Sequence, residues 1–310
     1  KDFDFLGITL QYEMSYTNIL QILDLSQIPL HANERTWEHP IVIGGGPCSY
    51  NPEPIAEFFD MFYIGEGEVV YAQLIETYKE SKKRGDSREQ FLKAAAQIKG
   101  IYVPSLYDVE YNEDGTLKSF TPNCPEAPEK VEKVLVMDFT DEVYPEKPLV
   151  PFIKVTQDRV VLEIMRGCIR GCRFCQAGQI YKPLREKNVE YLKELAYKML
   201  KSTGHEEISL SSLSSSDYSK LKELVYFLID ETSKRHVNIS LPSLRIDAFS
   251  LDVMSKVQDI RKSSLTFAPE AGSQRLRNVI NKGLTEETIL EGAGQAFEGG
   301  WTRVKLYFML

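Results

Sequence analysis

Three thiols fall within eight residues: Cys168, Cys172 and Cys175, separated by Ile169-Arg170-Gly171 and then by Arg173-Phe174. Thiolates ligate soft metal centres, and a [4Fe-4S] cluster normally takes four of them, one per iron. The other two cysteines, Cys48 and Cys124, lie far back in the chain. The run therefore supplies three ligands and leaves one iron open to an exogenous group. Competing chemistries fit the spacing less well. A structural zinc site takes two close cysteine or histidine pairs, whereas only Cys172 and Cys175 are so spaced and no second pair follows. Five cysteines in 310 residues, with no secretory signal pattern at the start, lead to the expectation of a reducing, cytoplasmic chain rather than a disulfide scaffold. Electron-transfer ferredoxins repeat a tighter spacing and supply every ligand themselves.

The rest of the chain must position those thiols. A length of 310 residues allows two domains, and 43% hydrophobic with 26% charged residues is ordinary for globular protein. No apolar run reaches membrane-spanning length, so no membrane partner is expected. The net charge of −8 argues against a generic polyanion-binding surface. Around the cysteines the balance reverses: Arg166, Arg170, Arg173, Lys182, Arg185 and Lys187 stand against Glu163 and Glu186. That run reads either as charge that balances a cluster or solvates a loop, or as a nucleic-acid contact. The chain starts without methionine and stops inside an apolar segment, the pattern of a piece of a longer protein.

Short apolar segments alternate with helical patterns at 5–10, 16–25, 40–43, 53–59, 62–64 and 68–82, which predicts a mostly parallel sheet with helices on its faces over 1–97. Gly44, Gly45 and Gly46 follow the strand at 41–43, where such folds bind ligands, although on composition alone a tight turn is the readier explanation. Residues 98–158, with a hairpin expected around Asn112 to Gly115 and prolines at 122, 125, 128, 145, 148 and 151, read as a β-rich connector. From 159 the alternation resumes in longer units. Strands are expected at 159–165, 207–211, 237–241, 264–268 and 302–309, with helices at 189–201, 218–234, 251–257 and two within 273–298. Repeated β-α units of this kind predict a partial (β/α) barrel over 159–310, with functional groups in the loops after the strands. The cysteine run follows the first of those strands.

Cys168, Cys172 and Cys175, with Phe174 before the last, resemble the CxxxCxxC signature of radical S-adenosylmethionine (radical SAM) enzymes. That resemblance implies a [4Fe-4S] cluster on the three thiolates, SAM chelated to the fourth iron, and Phe174 near the adenine. It extends over 159–310. Ser211 and Ser212 stand where the family often has Gly-Gly-Glu to hold the SAM amino group, so hydroxyls and carbonyls replace a carboxylate, while a helix cap, with Asp217 among its candidates, is the other reading of this loop. Glu270 resembles the family's strand-end residue that contacts SAM, and Arg245 is the candidate partner for the SAM carboxylate. For both, a structural ion pair is the alternative.

Residues 5–9, the loop at 41–47 and Ile64 to Glu68 resemble the later half of the cobalamin-binding domains that precede many radical SAM domains, whose glycine loops wrap the cofactor's nucleotide tail. None of His31, His39, His205 and His236 sits in the cobalt-ligating motif of those domains. Cobalamin binding and a degenerate domain that only braces the barrel both remain open here. Gln11 to Met14, Asn51 to Pro54 and the loop 209–218 further resemble an uncharacterised group of cobalamin-domain radical SAM proteins. The resemblance implies an enzyme that abstracts hydrogen or methylates a large substrate such as RNA or protein, served by an electron donor such as flavodoxin or ferredoxin. The alternative is an iron-sulfur electron-transfer or RNA-binding module without SAM chemistry.

Overall fold

The computed structural model describes residues 2–138, 144–233, 237–241, 245–246 and 265–310, and divides the chain into two units, Lys1–Asp138 and Phe139–Leu310. Residues 98–158, read from the sequence as one connector, lie on both sides of that division.

In the first unit, β1 (Phe5–Thr9), β2 (Ile41–Gly45) and β3 (Met61–Tyr63) pair in parallel, and β4 (Ile101–Tyr102) joins β3 antiparallel at the edge. Strand β2 is central and its first four residues are buried, as expected for a parallel strand covered on both faces. Helix α1 (Tyr16–Leu25) buries Ile19 and Leu23, and α2 (Tyr71–Arg84) buries Leu74 and Tyr78. Helix α2 ends at Gly85, whose φ of 76° no other residue adopts as cheaply, with Lys82, Lys83 and Arg84 against the negative end of the helix. Helix α3 (Arg88–Ala96) starts in a capping box between Ser87 and Gln90. A hairpin, β5 (Tyr107–Tyr111) and β6 (Leu117–Pro122), forms around the expected turn. The pattern at 53–59 is a 3-10 segment, Glu53–Phe58, rather than an α-helix. Buried Asp60 binds both Arg35 (3.0 Å) and Arg88 (2.9 Å), and the two guanidiniums also donate to carbonyls between Pro29 and Pro40. Their donors are used to pin that loop.

In the second unit, the expected strand at 159–165 is two: β7 (Val160–Glu163) pairs in parallel with β10 (Glu207–Ser211), while β8 (Met165–Arg166) pairs antiparallel with β9 (Arg185–Glu186). Between them Ile164 donates to the Ser211 carbonyl and accepts from Lys187 N–H, so the chain changes partner there. Strand β10 also pairs with β11 (Asn238–Ser240), and β12 (Leu265–Glu270) pairs with β13 (Val304–Phe308), all parallel. Helix α4 (Gln176–Ile180) follows the cysteines, α5 (Val189–Thr203) runs between an Asn188 cap and Gly204, and α6 (Leu221–Ser233) precedes β11. Two helices, Gln274–Val279 and Glu286–Glu298, lead from β12 to β13. Leu162, Leu192, Ile208, Leu210, Leu224 and Leu228 make one core, and Phe267, Leu284, Ala296 and Trp301 make another. This is a partial (β/α) barrel. The helix expected at 251–257, Pro242, Ser243, Leu244, Asp247 and His236 lie outside the described residues. Among the described residues no helix is long and apolar enough to cross a membrane.

Candidate functional site

The cysteine loop leaves the end of β8 through Gly167, whose φ is 88° and where a Cβ would lie 2.7 Å from the Pro183 carbonyl oxygen. Only glycine fits that turn. Beyond it the loop is fastened on two sides. On one, Arg173 N–H donates to the Ile280 carbonyl (3.0 Å), Arg173 Nη1 to the Val279 carbonyl (2.6 Å), and Asn281 Nδ2 to the Gly171 carbonyl (2.9 Å). On the other, the Arg170 guanidinium forks onto Asp217, with Nε 2.9 Å from Oδ2 and Nη2 on Oδ1. Within the loop, Cys175 N–H donates to the Cys172 carbonyl, and Gly178 N–H points at Cys175 Sγ at 3.3 Å.

All five cysteines are free thiols, and Cys168, Cys172 and Cys175 are each partly exposed. In residue type, spacing and access the three fit iron-sulfur ligation. Among the described residues no three His, Cys, Asp or Glu side chains already converge as a metal set, so binding would have to gather these thiols from their loop.

The serine loop after β10 is the neighbour of the cysteine loop, because Ser211 stands beside Glu163 in the parallel register of β10 and β7. Ser212 Oγ is 2.9 Å from Ser215 Oγ, Ser214 Oγ donates to Asp217 Oδ2 at 2.7 Å, and Ser216 Oγ accepts the Arg245 N–H at 2.9 Å. Asp217, proposed from the sequence as a helix cap, instead receives Arg170, since α6 begins only at Leu221. Burial pushes the Asp217 carboxyl up, but the hydrogen bonds from Arg170 and Ser214, with the charges of Arg170 and Arg245, hold it below the usual carboxylate range.

Glu270 closes β12 at a φ of 68°, in the left-handed region. Its carbonyl accepts Met309 N–H at 2.8 Å, across the register shift between β12 and β13. A non-glycine residue held there is strained, and such strain gathers at functional sites. Lys282 Nζ lies 3.5 Å from Glu270 Oε1 and 5.9 Å from the centre of the Phe174 ring. The strand-end carboxylate and the cysteine-loop aromatic thus meet around one ammonium, Lys282, which no motif in the sequence marks. Buried Arg277 ties the loop after β12 to the turn between the two following helices, donating to the carbonyls of Ala271 and Gly272 and to that of Leu284.

Most of the basic run has partners within the protein. Arg166 forks onto Glu163 (2.7 and 3.0 Å), Lys187 is buried against Glu163 and the Tyr144 ring, Arg185 is buried, and Arg170 and Arg173 hold the loop. In these contacts the charges of the run balance carboxylates and fasten backbone, while Arg173 and Lys182 remain exposed.

In the first unit, Gly44, Gly45 and Gly46 border a cleft of about 800 Å³ that is also lined by Gly7, Gly65 and Gly67, a size that suits a bound organic ligand. Their roles differ. A Cβ on Gly44 would lie 2.7 Å from the Phe62 ring, so this glycine serves packing, and Gly46 takes φ 98° against Leu10. A Cβ on Gly45 would meet the Tyr63 carbonyl at an ordinary 3.9 Å, so Gly45 keeps the cleft open without being required by the fold.

Comparison with known proteins agrees with both units. Residues 162–310 match the radical SAM superfamily, and residues 1–104 match the family of N-terminal domains of radical SAM proteins. An uncharacterized protein of Methanocaldococcus jannaschii is 32% identical over the whole of this chain, which spans 59% of that relative's length. The cobalamin-dependent SAM radical enzyme OxsB, solved with aqua-cobalamin and SAM bound, superposes with a TM-score of 0.58 at 17% identity, covering 98% of this chain and 40% of OxsB. The radical SAM methyltransferase TsrM from Kitasatospora setae, solved with cobalamin and a [4Fe-4S] cluster, superposes with a TM-score of 0.60 at 13% identity, covering 98% of this chain and 58% of TsrM. At these identities the likeness is one of fold.

Proposed function

Because this chain belongs to the radical SAM superfamily, we propose that it is the core of an enzyme that holds a [4Fe-4S] cluster on Cys168, Cys172 and Cys175 and presents SAM to the remaining iron. When bound and reduced by a donor such as flavodoxin or ferredoxin, a cluster of this kind supplies the electron that cleaves SAM into methionine and a 5′-deoxyadenosyl radical. The observation that carries this reading is the bracing of the cysteine loop between the serine loop on one side and the turn 279–281 on the other.

The side chains then divide the work. Ser211 and Ser212 offer oxygen acceptors at the end of β10 for the SAM amino group. Phe174, 43% exposed, offers a face to the adenine. Glu270 accepts polar hydrogens from SAM. Arg245, the sequence candidate for the SAM carboxylate, places its charge near enough to Asp217 to favour that carboxylate, and we assign the SAM carboxylate instead to Lys282, beside both Glu270 and Phe174. The glycine cleft of the first unit holds cobalamin, as OxsB and TsrM do, and the reaction is a radical methylation of a large substrate.

Anaerobic reconstitution tests the proposal. A brown protein with about four irons per chain that binds SAM, and a Cys172→Ala variant that has lost both properties, are expected. An iron-replete wild type that neither binds nor cleaves SAM would leave only the electron-transfer module.

A further inference from the structure

We infer that the Arg170–Asp217 fork is a positioning pair for SAM: it sets the serine loop against the cysteine loop, so that the groups receiving the SAM amino end stand in register with the open iron. The inference rests on the proposed SAM site and deepens it. Arg170 lies between two of the ligands, Cys168 and Cys172, and reaches 47 positions along the chain to Asp217. The Asp217 side chain is only 6% exposed, accepts both arms of the guanidinium, and takes the Ser214 hydroxyl as well. The serine loop's own bonds, Ser212 to Ser215 and Ser214 to Asp217, are local and do not orient it toward the cysteines. Ser216, next to Asp217, holds the backbone of Arg245, so the same loop carries the tie onward to the segment after β11. A planar bidentate pair fixes angle as well as distance, which a single lysine ammonium would not do.

A merely structural tie would hold the cysteine loop for iron, and a positioning tie would be felt chiefly by SAM. The test compares anaerobically reconstituted wild type with Arg170→Lys, Arg170→Met, Asp217→Asn and the double variant Arg170→Met/Asp217→Asn in the full chain. Iron content, SAM affinity by calorimetry, and the change in the electron paramagnetic resonance signal of the reduced cluster on adding SAM are read for each. The expected result is unchanged iron, SAM affinity down about tenfold or more in Arg170→Met and Asp217→Asn, a double variant no weaker than the weaker single, and in Arg170→Lys a smaller loss that still exceeds about threefold. Arg170→Lys keeps charge and stem, so it carries the test if the truncations do not fold. SAM affinity within twofold of wild type in iron-replete variants, or loss of iron in step with loss of SAM, overturns the inference and leaves the proposed function standing. An iron-replete wild type that does not bind SAM overturns both.

Discussion

Replacing Lys282 by methionine tests the assignment of the SAM carboxylate most directly. The ammonium is 12% exposed and stands 3.5 Å from Glu270. At an effective dielectric near 20, a carboxylate at that distance attracts a unit charge by about 5 kcal/mol before desolvation is subtracted. Net contributions of hydrogen bonds to charged groups run about 1.5–3 kcal/mol, which is roughly 10- to 150-fold in affinity. Lys282→Met should weaken SAM binding by that factor, and Lys282→Arg should restore most of it. The loss also strips Glu270 of its partner, so binding must be separated from general damage. Decarboxylated SAM does this, because it lacks the group in question. Calorimetric titration of wild type and Lys282→Met with both ligands closes a cycle in which only the SAM arm should respond. Equal losses for both ligands, or none for either, would refute the assignment and return the carboxylate to Arg245.

Gly45→Ala should leave the thermal unfolding temperature of the first unit nearly unchanged, since its Cβ has ordinary room, while Gly45→Val should weaken any cobalamin binding visible in the absorption spectrum by projecting a branched side chain into the cleft; undiminished cobalamin in Gly45→Val would move the site elsewhere. Arg277→Met should destabilise by about 3 kcal/mol or more in denaturant melts, because the Ala271 and Gly272 carbonyls after β12 and the Leu284 carbonyl between the two following helices lose their donor together. The pair at Asp217 has a signed pH dependence. Its folded carboxyl titrates below the ordinary 3.8, so its stabilisation is complete above that value and is lost as pH falls through the depressed one. The stability gap between wild type and Asp217→Asn should therefore hold from neutral pH to about 4 and shrink below it; a gap that narrows near neutrality would contradict the ionised pair.

What the sequence made legible was whatever repeats locally. The strands at 5–10, 207–211 and 302–309 and the helix at 16–25 follow from apolar runs and periodicity, and the structure places β1, β10, β13 and α1 on them. The start of helix α3 is written in the chain only as a cap signal, Ser87 three residues before Gln90. The split of the strand at 159–165 was not legible, because Ile164 turns from β10 to β9 through backbone bonds that no side-chain pattern records. The three cysteines announced a ligand set by spacing alone, but the groups around them come from far along the chain. Asp217 is 47 positions from Arg170, and Asn281 is 110 from Gly171. The basic run shows why such pairings mislead when read in one dimension. Counted along the chain, Arg166, Arg170 and Lys187 are an excess of positive charge near the cysteines. Folded, each meets a carboxylate, Glu163 or Asp217, at the end of β7 or in the loop after β10. A partly buried charge persists only where a partner offsets its desolvation. A cluster of cations that packs against strand ends therefore says that carboxylates converge there too, and the chemistry to be sought lies among those pairs rather than on an outward face.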